Sequence, residues 1–418
     1  MIYTTVPTGV RALTDRFKDL FCIGTAGSYC NLSALFCYFL LQKNSLSEFV
    51  RSCPWTHSVS DLSRSILCFD KNRFMRRLRH SILRRYNGQI SPEHFCWAID
   101  DTDNPKYGKT IFRSGPWYSS KGIYNGQKIM VLALVDIKRG IALPIAYAIA
   151  SKKDDPYYRS GPDLAVDLLK SVLAENFPKL PAVMDSWFDS SDLMDKLKEI
   201  GITYAGEMKS NRNVKTNPGP FANWTKFSDV FANQKRFRTP CRLDSLKVKR
   251  RQKKAKCSST ILGYIKNRKS PLKMTAIYNR RNSKSAFAYY ASTDLSMSGA
   301  RIWELSRARW KIECLFRDLK QCLSFGHLPI GGEKAADLAV CLPFILLVSL
   351  RLDGSRYWNV TSDKSIGDMT DQIREIGLTK AIDHLTRGND SALISRFKAR
   401  RDKGRLNKKP VNVIAEAS

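Results

Sequence analysis

Between residues 94 and 210 the sequence alternates short apolar segments with amphipathic ones, and this order constrains the fold more than any other feature. Period-two and uninterrupted apolar runs predict strands, and apolar residues at helical spacing predict helices. In chain order the segments are the strands Phe95–Ile99, Lys128–Asp136 and Ile141–Ser151, the helix Asp163–Phe177, the strand Leu180–Met184, the helix Asp189–Ile200 and the strand Thr203–Met208. The order predicts an α/β fold in which helices cover a mixed sheet.

Two of these strands run directly into aspartates. Asp100 and Asp101 end the first strand, and Asp185 follows the strand after the first long helix. Side chains at strand ends gather at one edge of a sheet, and neighbouring strands lie about 4.8 Å apart. These carboxylates can therefore share metal ions if their strands are neighbours. Adjacent side chains of a strand point to opposite faces, so only one of Asp100 and Asp101 faces such a site. Asp136, at another strand end, is the alternative ligand.

A third carboxylate lies on a helix predicted over Ser298–Leu323. Arg309, Glu313 and Lys320 are spaced four and seven residues apart, so they share one helix face. A separate apolar face would pack on the sheet and bring Glu313 to the aspartates, where Arg309 and Lys320 could hold DNA phosphates. Carboxylate oxygens are the ligands that Mg²⁺ prefers, and two Mg²⁺ ions suit phosphodiester chemistry.

The charge of the chain predicts a polyanionic partner. The net charge is +32, from 70 Lys and Arg against 38 Asp and Glu. A folded chain this basic repels itself, and nucleic acid fits better than a membrane surface because no basic amphipathic helix dominates. The eleven cysteines form no C-x-x-C pair, so zinc is not expected. The apolar run Val340–Leu350 contains Pro343 and predicts a buried helix rather than a membrane span. We expect a cytoplasmic, nucleoid-associated protein.

Basic residues are concentrated in two places that could contact DNA. Residues 209–284 hold 22 Lys and Arg against two acids, and within them Lys249, Arg250 and Arg251 lie in the densest stretch. Basic segments of this density usually contact phosphate, although a solvated loop is the alternative. Lys106 and Lys109 follow the first aspartates, where phosphate contact and a solvated loop are equally good interpretations.

These motifs resemble the insertion-sequence-4 family of cut-and-paste bacterial transposases, which are DDE enzymes. The family places its first catalytic Asp directly before Thr, as Asp101 stands before Thr102, and its second Asp in a segment like that around Asp185. Its Tyr-x2-Arg-x3-Glu-x6-Lys motif is met by Arg309, Glu313 and Lys320, with Ser306 in place of the Tyr. The resemblance, with a β-rich insertion, spans about residues 94–325.

The resemblance implies a ribonuclease-H-like core in which Asp101, Asp185 and Glu313 are the catalytic, metal-binding carboxylates. It implies two Mg²⁺ ions, with Mn²⁺ able to substitute. It also implies a homodimer on double-stranded DNA, which cleaves transposon ends through a hairpin and joins them to target DNA. Two other hypotheses stay open: a ribonuclease-H-like nuclease without strand transfer, and a domesticated DNA-binding protein without catalysis.

The sequence divides into five predicted regions: a helical DNA-binding region over 1–90, the first part of the core over 91–208, a basic β-rich insertion over 209–292, the Glu-bearing part of the core over 293–355, and a helical C-terminal region with a basic tail over 356–418. Within the first region, Lys71–Tyr86 has apolar residues at every fourth position and arginines elsewhere. It could belong to a helix-turn-helix on DNA or be a solvated helix on the core.

Overall fold

The computed structural model divides the chain into two compact units. One unit is Met1–Phe74 together with Asp318–Ser418, and the other is Met75–Arg317. The structure describes residues 6–21, 26–42, 45–53, 56, 58–106, 108, 111–119, 122–217, 219, 223–232, 238–241, 256–328, 331–361 and 364–386. The five-part division drawn from the sequence stays a prediction.

The first unit is helical. Its helices are α1 (Thr8–Phe17), α2 (Ala26–Leu40), α3 (Leu46–Ser52) and α4 (Val59–Ile66), together with the last two helices of the described chain, Glu333–Asp353 and Ile366–Thr386. It also contains the start of α5 (Lys71–Tyr86) and the end of the helix Gly299–Cys322. Helix Glu333–Asp353 with the turn to Trp358 is long and apolar enough to cross a membrane, but 83% of its most apolar window is buried inside the protein. The apolar run therefore packs as a core helix.

The second unit is built on one large mixed sheet. Its strands are β1 (Phe95–Pro105), β2 (Gly115–Ser119), β3 (Gly122–Asp136), β4 (Ile141–Ile149), β5 (Ala182–Met184), β6 (Tyr204–Glu207), β7 (Asn213–Lys215), β8 (Thr225–Lys226), β9 (Thr239–Cys241), β10 (Lys256–Ile265), β11 (Leu272–Tyr278) and β12 (Ala288–Ser292). Its helices are α6 (Gly161–Leu173), α7 (Ser191–Glu199), α8 (Phe227–Ala232) and most of α5 and α9 (Gly299–Cys322). In the same numbering, the helices Glu333–Asp353 and Ile366–Thr386 of the first unit are α10 and α11.

The predicted fold class is confirmed: a large mixed sheet with flanking helices. Strands β4, β3 and β1 are antiparallel neighbours, and β1, β5 and β6 follow in parallel. The parallel pairs need crossover helices, and α6 and α7 supply them. The structure differs from the sequence prediction in three places: β1 runs on to Pro105, β3 begins at Gly122 instead of Lys128, and β2 is an additional strand. These added residues are largely polar and pair with one another, so their ladder of hydrogen bonds forms without an apolar pattern.

Helix α6 shows how the local sequence fixes its element. The Ser160 side chain accepts a hydrogen bond from the Asp163 amide, and Pro162 stands in the first turn, where its missing amide hydrogen costs nothing. Its apolar face, including Leu169 and Val172, is buried and contacts β3 and β4. The packed face covers the sheet beside the strands that carry the carboxylates.

The inserted strands continue the same sheet instead of forming a separate layer. Strand β12 pairs antiparallel with β6, with Tyr290 opposite Glu207, and β11, β10 and β7 follow outward. Strands β10, β11 and β12 give the inserted segment the β-rich character that the sequence predicts. Gly263 has no room for a side chain, since a Cβ there would meet Met274 and the backbone of Lys215. The insertion therefore packs backbone against backbone at that point.

Helix α5 is bound to the sheet unit by an ion pair and by apolar packing. Arg79 makes a two-pronged ion pair with Glu175, with nitrogen–oxygen distances of 2.7 and 2.5 Å, and also donates to the Ile145 carbonyl. Leu78 and Ile82 are buried beside it. These contacts favour the interpretation of α5 as a helix packed on the core, although Arg84 and Arg85 remain exposed.

Candidate functional site

Three carboxylates lie level with one another on three parallel strands. Ala98 is the partner of Val183 on β5, and Met184 is the partner of Gly206 on β6. Continuing both registers brings Asp100, Asp185 and Glu207 into one row, with strands about 4.8 Å apart. The row stands at the carboxyl ends of β5 and β6, where ligands of α/β sheets gather, and beside the middle of β1, which runs on to Pro105.

Helix α9 is linked to this row through Arg309. One guanidinium nitrogen lies 3.2 Å from Asp100 Oδ2, and the other lies 2.7 Å from Glu313 Oε1. Glu313 is one helical turn after Arg309, so the same face of α9 carries both groups. The ion pair places the Glu313 carboxylate beside Arg309, while the role of Glu313 as a metal ligand stays a prediction.

Asp101 has different surroundings, as expected for the next residue of a strand. Its carboxylate lies 3.5 Å from Lys128 Nζ on β3, while its backbone amide donates to Asp100 Oδ1 at 2.9 Å. Burial raises the pKa of Asp101, and Lys128 opposes the rise. Burial also raises the pKa of Asp100 to about 7, against the opposing charge of Arg309. The role of Asp101 as a ligand stays a prediction, and Asp100 is the residue that contacts α9.

Sequence reasoning missed Glu207. It ends β6 just as Asp185 follows β5, so the rule that found Asp185 could also have found it. Although Glu207 reaches the surface, burial of its carboxyl group raises its pKa; Arg309 lowers it, and Asp185 and Glu313 raise it further. Glu207 is therefore a further acidic group of the site, and the charges of Arg309, Asp185 and Glu313 shift its pKa.

The residue types fit divalent cations, but their arrangement here does not form a ready metal site. Oxygen ligands of this kind suit Mg²⁺. Yet among the described residues no three acidic, histidine or cysteine side chains lie close enough to hold a metal ion. Asp100 and Glu313 are instead paired with Arg309, and Asp101 with Lys128. Side-chain cations thus stand where bound metal would be expected.

Two other aspartates have structural roles. Asp136 is the last residue of β3, where it is buried opposite Phe95 at the start of β1. It accepts hydrogen bonds from the Tyr86 hydroxyl and the Arg139 amide, so it stabilises the hairpin turn. Asp189 does not cap α7, because Ser190 is the cap of that helix. The Asp189 side chain is 1% exposed and faces Arg212 Nη1 at 3.3 Å. Its burial raises its pKa to about 6.

The predicted DNA contacts fall into two groups. Lys109, Lys249, Arg250 and Arg251 lie outside the described residues. Lys106 follows β1, and burial lowers its pKa, while Lys320 is exposed in the last turn of α9 and belongs to the first unit. Arg309 is already engaged by two carboxylates. At the motif position of Ser306 the hydroxyl is buried, and on the same helix Trp303 is buried and Trp310 is exposed.

An exposed aromatic surface adjoins Asp185. The Asp185 carboxylate accepts a hydrogen bond from the Trp187 amide, which fixes a tight turn and leaves the Trp187 ring 71% exposed. Lys128 lies 5.9 Å from that ring and 6.0 Å from Trp117, and Lys152 lies 3.7 Å from Trp117. Trp224, in the insertion, is also exposed, at 42%.

Residues 62–256 match the sequence model of a family described as DDE superfamily endonuclease. This part of the chain is similar to DDE endonucleases. The match includes Asp100, Asp101 and Asp185 and ends before Glu313, so it covers a little under half of the chain. A comparison with curated proteins finds no match.

Among solved structures, the chain is similar to the piggyBac transposase in a synaptic complex with hairpin DNA. The identity is 13% and the TM-score 0.42, over 97% of this chain and 80% of that chain. The likeness is distant, and neither the fold nor the function of the present chain is inferred from it.

Proposed function

We propose that the protein is a DNA transposase of the DDE type, with Asp101, Asp185 and Glu313 as its metal-binding carboxylates. The observation that carries the proposal is the ion pair of Arg309 with both Glu313 and Asp100, the neighbour of Asp101 on β1. Strands β1 and β5, but not Glu313, lie in the part of the chain that matches DDE endonucleases. The finer placement, in the insertion-sequence-4 family, rests on Asp101–Thr102 and on the spacing of Arg309, Glu313 and Lys320.

The residue types of this site are those that would hold two Mg²⁺ ions, or Mn²⁺ in their place, once the carboxylates are released from Arg309 and Lys128. When bound, such ions neutralise a scissile phosphate and activate an oxygen nucleophile. The chain's own contribution is to hold acidic oxygens from β1, β5 and α9 at one edge of the sheet. Water and a 3′-hydroxyl can act in turn as nucleophiles at one such site, because each step is the same displacement at phosphorus.

Double-stranded DNA is the proposed partner, both as transposon ends and as target. The net charge of +32 supports this partner, and phosphate contacts are proposed for Lys106, Lys109, Lys249, Arg250, Arg251 and Lys320. The sequence also predicts a phosphate contact for Arg309, but its ion pairs with Asp100 and Glu313 give it another role. A homodimer on DNA, a hairpin intermediate and a nucleoid location, away from any membrane, complete the proposal.

The aromatic surface beside Asp185 supports contact with an unpaired strand. Bases stack on exposed aromatic rings regardless of sequence, and nearby lysines bind the backbone. Trp187, Trp117 and Lys128 offer both features beside the proposed site. A reaction that opens or folds back a DNA end would expose such a base.

The test is cleavage of a plasmid carrying the genomic DNA that flanks the coding sequence, with Mg²⁺ present. We expect double-strand breaks at the element's ends, hairpin ends on a denaturing gel, and joining of pre-cut ends to a second plasmid. Breaks without joining would favour the nuclease hypothesis. Binding without breaks, in Mg²⁺ or Mn²⁺, would favour the non-catalytic one and refute the transposase.

A further inference from the structure

The acidic site is already occupied by positive side chains. Arg309 contacts Asp100 and Glu313 at the same time, and Lys128 contacts Asp101. Whichever aspartate of β1 proves to be the ligand, its carboxylate has a cation of the protein beside it.

We propose that Arg309 and Lys128 are placeholder cations: without DNA they form ion pairs with these carboxylates in the place of metal. When DNA binds, its phosphates attract both side chains away, and divalent metal can then bind to the carboxylates. The inference rests on the proposed function and adds its regulation: metal binding would depend on DNA. Without DNA, the enzyme would have little affinity for metal and little capacity to cut.

The electrostatics of the site explain why a placeholder is needed. Asp100, Asp185 and Glu207 stand level on neighbouring strands, and Glu313 approaches from α9. Four negative groups this close repel one another unless a cation intervenes. The side chains of Arg309 and Asp100 are only 16% and 18% exposed, so water screens their attraction weakly. Arg309 can neutralise two carboxylates at once because its guanidinium presents several donors in a fixed fork.

The surroundings of both cations leave a path toward DNA. Lys128 lies within 5.9 Å of the exposed Trp187 ring, and its own side chain is 19% exposed. Arg309 precedes Trp310 on α9, whose side chain is 58% exposed. Guanidinium and ammonium groups bind phosphate as well as they bind carboxylate. A DNA backbone at this edge can therefore take over both cations and leave the carboxylates free.

Exchange of this kind has a thermodynamic signature. If DNA raises the affinity for metal by removing the placeholders, metal must raise the affinity for DNA by the same factor. The decisive measurement is made without DNA, however, because DNA phosphates are themselves metal ligands. Removing a placeholder should then increase metal affinity directly.

The experiment measures Mn²⁺ binding to the DNA-free full chain by electron paramagnetic resonance, for wild type, Arg309→Gln and Arg307→Gln. Arg307 is an exposed residue of the same helix, so its variant makes the same change of charge outside the site. We expect Arg309→Gln to bind Mn²⁺ at least about tenfold more tightly than wild type, the lower end of the effect of one neighbouring charge on a carboxylate. Arg307→Gln should match wild type.

Equal or weaker Mn²⁺ binding by Arg309→Gln would overturn the proposal, as would equal gains in the two variants. Lys128→Gln provides a second variant if Arg309→Gln does not fold by circular dichroism, and it should also bind Mn²⁺ more tightly. Plasmid cleavage by wild type in Mg²⁺ is measured on the same preparations. Cleavage without the gain in affinity refutes the placeholders alone, whereas a gain without cleavage refutes the transposase alone.

Discussion

The two halves of the sheet differ in charge although they share one ladder of hydrogen bonds. Residues 94–208, which form β1 to β6, contain 15 acids and 14 bases, whereas residues 209–284 contain two acids and 22 bases. Strands β11 and β10 lie beyond β12, so most of the insertion is at least two strands from the carboxylates on β6. One sheet can thus keep an acidic site and a basic surface apart.

That separation has a physical reason. Metal chemistry needs several carboxylates close together, whereas DNA binding needs a positive potential over a wide surface. If the two tasks are divided between the halves, a variant in one half should lose rate and a variant in the other should lose affinity.

The largest effect is expected from Asp185→Asn in the acidic half. Removing a metal-binding charge should lower the rate of DNA cleavage on the order of 10³-fold and leave duplex affinity nearly unchanged. Cleavage at saturating DNA and affinity by gel shift are the two measurements. Asp192→Asn, on the exposed side of α7, is the control and should cleave normally. Equal losses in both variants would contradict the assignment.

A second effect concerns the junction between the halves, where Asp189 meets Arg212. The pKa of Asp189 is about 6 in the fold against 3.8 in the unfolded chain, because burial disfavours its charge. This raised pKa destabilises the fold by about 3 kcal/mol above pH 6, and the penalty vanishes as pH falls below 3.8.

Asp189→Asn should therefore be more stable than wild type at pH 7, with the gap closing toward pH 4. Urea unfolding between pH 4 and pH 8 measures this difference. A gap that does not change with pH would show that the fold does not shift this pKa, and a gap that widens in acid would show that the pair with Arg212 stabilises the charged form.

A third effect tests the basic half. Replacing Lys249, Arg250 and Arg251 together by Gln should weaken duplex binding roughly a hundredfold near 0.15 M salt and lower the salt slope by about 0.9 per lost phosphate contact. The cleavage rate at saturating DNA should stay the same. An unchanged slope would mean that these residues form a solvated loop.

The smallest effect compares an exposed tryptophan from each half. Trp187→Ala should weaken binding of an unpaired DNA end by roughly fivefold, near the lower limit for one stacked base. Trp224→Ala, in the insertion, should change duplex and unpaired-end binding alike. Fluorescence anisotropy with blunt and frayed DNA ends measures the affinity of each variant for duplex and unpaired ends. If the two variants have the same ratio of these affinities, the unpaired base does not stack on Trp187.

The sequence by itself determined the elements and the approximate edge of the site. Local periodicity was enough to predict β1, β3 to β6 and α9, because each depends on which side chains recur on one face. It also predicted carboxylates at the ends of two strands and Glu313 on a helix, since strand ends and helix faces follow from short spacings.

Only the tertiary structure decided which groups meet. Whether Asp100 or Asp101 faces α9 depends on the face of the sheet that α9 covers, and that is fixed by contacts more than 200 residues apart in the chain. The same holds for Glu207 joining the row, for β12 pairing with β6, and for Arg309 holding carboxylates instead of a phosphate. Register and ion pairing are set by packing between distant segments, and no local pattern records them.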